Sequence, residues 1–129
     1  MNILLDTHAF IWLGTNQIDK LSPAAVTSFL DLNNEIYISK ASLWEMAIKI
    51  NIGKLSLSKT LEELVSAAVK NKIKILDIEL QHILEYQKLK LHHSDPFDRL
   101  IIASAYVEKM KLISCDEKFK LYEKLEIIW

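Results

Sequence analysis

A chain of 129 residues suits one domain around a single apolar core, and its 50% hydrophobic content excludes a disordered polymer. Its 16 Lys and Arg residues, against 17 Asp and Glu, give a formal net charge of −1 and are spread along the sequence, which excludes a basic tail. Any nucleic-acid contact must therefore come from a folded patch.

The first apolar run, Ile3-Leu-Leu, ends in Asp6 and reads as a buried strand. Met1 to Asp6 is too short and too soon acidic for a signal peptide, and no apolar run reaches a membrane span, so the protein is expected in the cytoplasm without membrane contact. Thr7 to Leu13 reads as a helix stopped by Gly14, and Ser22-Pro23 as the cap and first turn of another, with a break at Asn33-Asn34. Ile36-Tyr-Ile-Ser is the second strand. A helix follows from Ser42 to about Asn51, closed by Gly53. Leu57, Leu61, Leu64, Val65 and Ala68 keep helical spacing.

Ile73 to Ile78 is the third strand, and Gln81 to Leu91 a helix with Ile83, Leu84 and Leu91 as expected core contacts. Phe97 to Met110 is apolar around most of its girth, as a helix covered on more than one side would be. Leu112-Ile-Ser-Cys is the fourth strand, Glu117 to Tyr122 a short helix, and Leu125 to Trp129 a last strand. Near-regular alternation of strand and helix predicts an α/β sandwich centred on parallel strands. Cys115, the single cysteine, excludes an internal disulfide framework, fits a reducing compartment and reads as a small core residue.

Four acids stand where a strand gives way to a helix: Asp6, Glu45, Asp98 and Asp116. In an open α/β sheet ligands bind at the carboxyl ends of the strands, so these residues can share one pocket. Each also has an ordinary role as a cap. Ser42-Leu-Trp-Glu45 matches a capping box, and Asp95-Pro-Phe-Asp98 places Asp95 as cap, Pro96 at the first position and Asp98 at the third. The two roles are compatible, because a helix N-terminus helps keep a carboxylate ionised. An all-oxygen, all-anionic cluster suits Mg²⁺ or Mn²⁺ and phosphodiester chemistry.

The segments Ile3–Trp12, Ser42–Leu55, Asp95–Ala105 and Leu112–Phe119 resemble, in order, the motifs of PIN-domain proteins, in particular the VapC-type toxins of bacterial toxin–antitoxin pairs. The resemblance implies one PIN-like domain over residues 1–129, a three-layer sandwich with a mainly parallel sheet of four or five strands flanked by helices. It further implies a Mg²⁺- or Mn²⁺-dependent endoribonuclease, a cognate antitoxin as partner and a homodimer. The family's acidic ligands map onto Asp6, Glu45, Asp98 and Asp116, with Asp95 as a supporting or alternative ligand. Thr7 corresponds to the hydroxyl beside the first acid, and Ser114 holds the place where the family often has threonine.

Other polar residues carry less. His8, His92 and His93 match no zinc spacing and read as structural or loop residues, while Arg99 could contact substrate or pair with an acid. Trp12, Trp44 and Trp129 read as core or interface aromatics, with base stacking open to one of them. Lys40, Lys49 and Lys118 could steer an RNA backbone. A Mg²⁺-binding phosphoacceptor domain is a rival reading, but it wants adjacent early acids and a late lysine, where this chain has Asp6-Thr7 and Asp116. A catalytically inert binding module, its acids serving only as caps, is the other.

Overall fold

In the computed structural model, which describes residues 1–92 and 94–129, the strands are β1 (Asn2–Leu5), β2 (Glu35–Ser39), β3 (Lys74–Leu76), β4 (Lys111–Ile113) and β5 (Ile127–Ile128). They form a sheet of order β3-β2-β1-β4-β5, every pair parallel. The helices are α1 (Thr7–Gly14), α2 (Pro23–Leu30), α3 (Lys40–Asn51), α4 (Leu61–Lys70), α5 (Leu80–Lys88) and α6 (Pro96–Glu108).

Strand residues alternate between two apolar layers, as the period of two demands. Ile3, Leu5, Ile36, Ile38 and Ile113 join one layer with Phe10 of α1, Ala25 of α2 and Leu64 of α4. Leu4 and Leu112 join the other, with Ile101, Ile102 and Ala105 of α6. The result is the expected three-layer α/β sandwich. The chain starts at the middle strand, adds β2 and β3 on one side, and then returns to place β4 and β5 on the other. The gap between β1 and β4 is thus the point where strand order reverses, the usual ligand crevice of such sheets. A flavodoxin-like phosphoacceptor sheet would instead run 2-1-3-4-5.

Several local expectations are corrected. α3 begins at Lys40 with Ser39 as its cap, the Ser39 hydroxyl accepting from the Ala41 amide at 3.0 Å. Ser42 therefore lies buried inside the helix, and the capping box read at Ser42 and Glu45 does not form. Capping boxes form instead at the start of α4, Thr60 with Glu63, and at the start of α5, Glu79 with His82. Gly53 takes φ +74° just past the end of α3, a conformation that costs glycine little. Ile83, Leu84 and Leu91 are each half exposed or more. The residue that α5 buries completely is His82, whose Nδ1 accepts from the Glu79 amide at 3.1 Å while Nε2 meets Glu108 of α6 at 3.0 Å. Cys115 is exposed beyond the end of β4, and the segments Ile18–Lys20 and Glu117–Leu121 are 3₁₀ helices. No helix of the described residues is long and apolar enough to cross a membrane.

Candidate active site

Asp6 is the first residue past β1, and the central position of that strand makes it the buried floor of the crevice. Its amide donates to the Ile113 carbonyl of β4 at 3.1 Å, and its Oδ1 caps α1 by accepting from the Ala9 amide at 2.7 Å. It is only 4% exposed, and burial raises its pKa from the usual carboxylate value against the lowering effect of hydrogen bonds from Ser114 and Ala9. Ser114, fully buried just after β4, also accepts from the Asp116 amide at 3.1 Å. One hydroxyl thereby fixes the spacing of two acids. Asp116 in turn caps the 3₁₀ helix through the Lys118 amide at 2.9 Å.

The other two acids come from helices. Asp95 accepts from the amides of Phe97 and Asp98 at 2.9 and 3.1 Å, so it caps α6 as expected and sets Asp98 in the first turn. Glu45 projects from the second turn of α3 and is almost wholly buried. Its Oε1 accepts the Thr7 hydroxyl at 2.7 Å and its Oε2 meets Lys49 Nζ at 2.7 Å. Thr7 Oγ1 also stands 3.0 Å from Ser42 Oγ, a contact hidden by the misplaced start of α3.

The charges feel one another across these elements. The pKa of Asp98 is raised to about 7, first by burial and then by repulsion from Asp95, Glu45, Asp116 and Asp6. Like charges pressed together in a half-dry crevice favour the neutral acid unless a cation joins them. The donor set is all oxygen and all carboxylate, which fits Mg²⁺ or Mn²⁺ and not a soft ion. Among the described residues, no three His, Cys, Asp or Glu side chains stand close enough to hold a metal as they lie. Ligation thus requires side-chain adjustment.

The remaining candidates fall mostly outside the crevice. Arg99 is 5% exposed and donates to the carbonyls of Tyr86, Leu89 and Lys90, with its guanidinium 4.8 Å from the Tyr86 ring centroid. It ties the C-terminal end of α5 to α6. Lys40 pairs with Asp77, and Lys118 is exposed, whereas Lys49 reaches a crevice acid directly. The Glu45-to-Lys49 spacing of four residues is the sequence signal for that pair. Trp44 is 58% exposed and packs edge-on against Phe97 at 5.2 Å, while Trp12 lies between His8 and Trp129. His92 packs edge-on against Tyr122, and His93 lies outside the described residues.

The sequence profile of the PIN domain matches residues 3–125. No curated protein matches the chain in sequence. Among solved structures, the chain is similar to VapBC2 from Rickettsia felis bound to a promoter DNA fragment, at 21% identity and a TM-score of 0.75, covering 98% of this chain and 97% of that one. It is similar also to DNA-bound VapBC from Salmonella typhimurium, at 18% identity and a TM-score of 0.70, over 98% and 96% of the two chains. VapBC-5 from Mycobacterium tuberculosis, of a family of toxin–antitoxin systems, gives 15% identity and a TM-score of 0.64 over 98% and 97%. At these identities the likeness is one of fold.

Proposed function

The chain belongs to the PIN-domain family of nucleases, and on that premise we propose that it is a divalent-metal-dependent endoribonuclease, the toxin of a toxin–antitoxin pair. The observation that carries the chemistry is the placement of Asp6 and Asp116 just past the parallel strands β1 and β4, with Glu45 of α3 and Asp98 of α6 near enough for all these charges to act on Asp98. Acids serving only as caps need not face each other.

Asp6, Glu45, Asp98 and Asp116 would hold one or two Mg²⁺ or Mn²⁺ ions. A bound ion of this kind supplies Lewis-acid activation of water and charge compensation at a phosphodiester. The rest falls to the chain's own groups. Thr7 orients Glu45, Ser114 orients Asp6, and Asp95 keeps the α6 N-terminus aimed at the crevice. No histidine base is needed, and burial of Asp6 and Glu45 limits the water that reaches the reacting groups.

The solved structures of similar fold include a member of the VapBC family of toxin–antitoxin systems and a toxin–antitoxin complex from Klebsiella pneumoniae, which supports an antitoxin as partner. An anionic crevice would receive a basic side chain from such a partner's tail. The protein is further proposed to be a cytoplasmic homodimer forming one PIN domain over residues 1–129.

Fragment masses from a synthetic RNA test the reaction. Water attack leaves 5′-phosphate and 3′-hydroxyl ends, stops with EDTA, and returns with Mg²⁺ or Mn²⁺ but poorly with Ca²⁺, which is larger and looser in geometry. Cyclic 2′,3′-phosphate ends, or cleavage indifferent to EDTA, would overturn the reading. Growth arrest on expression, relieved by the product of a neighbouring gene, tests the toxin assignment separately.

A further inference from the structure

The two oxygens of Glu45 are treated differently. Oε1 is held by the hydroxyl of Thr7, a buried residue on α1, at 2.7 Å. Oε2 is held by the ammonium of Lys49, one turn along α3, also at 2.7 Å. The Lys49 side chain is 40% exposed whereas that of Glu45 is 4% exposed, so one partner is anchored and the other sits on a flexible stem open to solvent. Nor is Glu45 the whole environment of that ammonium. Asp95 and Asp98 of α6 also act on it, so a positive charge belonging to the chain stands among acids of two helices.

We propose that Lys49 is an internal counter-ion that competes with the divalent cation for Glu45, so that loading the crevice requires Lys49 to withdraw toward solvent. The inference rests on the reading of Glu45 as a metal ligand. A hydroxyl on Oε1 leaves the carboxylate charged and merely aims it, and so does not oppose a metal. An ammonium on Oε2 neutralises the carboxylate and stands within range of the charges of Asp95 and Asp98. Two like-charged species cannot share that position at low cost, since unit charges a few ångströms apart interact strongly at the effective dielectric of a protein surface. Lys49 thus lowers metal affinity while keeping the crevice from standing as a bare cluster of acids. Exposure of its stem gives it somewhere to go.

Mn²⁺ titration by calorimetry, with no RNA present and at fixed pH and salt, reads this directly. Lys49→Met keeps the apolar stem and removes the charge, and should tighten Mn²⁺ binding on the order of tenfold. Lys49→Gln provides a second neutral variant, and circular dichroism confirms that each is folded. Lys49→Arg retains a cation and should stay within about threefold of the wild type. Wild-type binding with no tightening in either folded neutral variant would overturn the counter-ion role while leaving the metal-enzyme reading intact. If neither wild type nor variants bind Mn²⁺ at millimolar concentration, the metal-enzyme reading fails and this inference fails with it.

Discussion

Thr7 and Glu45, 38 residues apart, share a buried hydrogen bond of 2.7 Å that couples the start of α1 to the second turn of α3. It is a charge-assisted bond between a hydroxyl and a carboxylate, stronger than a neutral one. Thr7→Val preserves shape and β-branching but removes the donor, leaving Glu45 Oε1 and Ser42 short of a partner. We expect a loss of about 1–3 kcal/mol in stability together with a clear fall in cleavage rate. Thr7→Ser should retain most of both. Thermal midpoints and RNA cleavage on the same preparations decide it: a Thr7→Val enzyme of wild-type rate would show that orientation of Glu45 is immaterial.

Asp116 is both a cap and a proposed ligand, and asparagine separates the roles because it caps as well as aspartate. Asp116→Asn should leave the thermal midpoint nearly unchanged while abolishing cleavage. Asp116→Ala should lose cleavage and also about 1 kcal/mol of stability. Full activity in the asparagine variant would reduce Asp116 to a cap.

Asp98 makes stability depend on pH in a definite direction. Its folded pKa of about 7 lies above the ordinary 3.8, so in that interval the folded state holds a proton that the unfolded chain has released. Stability from this group is complete below pH 3.8 and is lost as pH rises through 7. Protein stripped of divalent ions should therefore melt at a lower temperature at pH 8 than at pH 5.5. Asp98→Asn should flatten that difference, and so should Mg²⁺, by compensating the ionised acid. A variant with the full wild-type slope would assign the pH effect elsewhere.

Arg99 is expected to matter for stability and not for substrate contact. Lysine keeps the charge but cannot spread donors over the carbonyls of Tyr86, Leu89 and Lys90 or stack on Tyr86. Arg99→Lys should cost about 1–3 kcal/mol, because the buried cation keeps fewer of its hydrogen bonds. Urea titration measures it, and the residual folded enzyme should keep its affinity for RNA. An unaltered midpoint with weakened RNA binding would reverse the assignment.

The fold was legible wherever local chemistry has one outcome. Ser22-Pro23 and Asp95-Pro96 set helix starts because proline fits the first turn and the preceding side chain caps it. The strands showed as short apolar runs, but of the four acids only Asp6 and Asp116 follow strands; Glu45 lies within α3 and Asp98 within α6, which comes after α5. α5 was misread because Leu80, Ile83 and Leu84 share one arc at helical spacing, and periodicity finds that arc without revealing that it faces solvent. The inward arc carries His82, a polar residue that burial tolerates through its bonds to Glu79, at capping-box spacing, and to Glu108, a tertiary partner that no spacing rule reveals. Glu45 lies on the helix read for it, but Ser39, not Ser42, begins that helix. The bond to Thr7 and the contact with Ser42 are tertiary, and nothing within α3 announces them.

The middle strand of the sheet, β1, precedes the other four in the sequence. β1 needs β2 on one side and β4 on the other, and the Asp6 amide finds its acceptor only at Ile113. Closing such a long loop carries an entropy cost that local pairings avoid. A chain still growing on the ribosome can complete neither the floor of the crevice nor its Asp116 wall until more than a hundred residues have emerged. Asp6 is thus joined to Asp116 only once β4 has paired with β1, and until then the proposed site is incomplete.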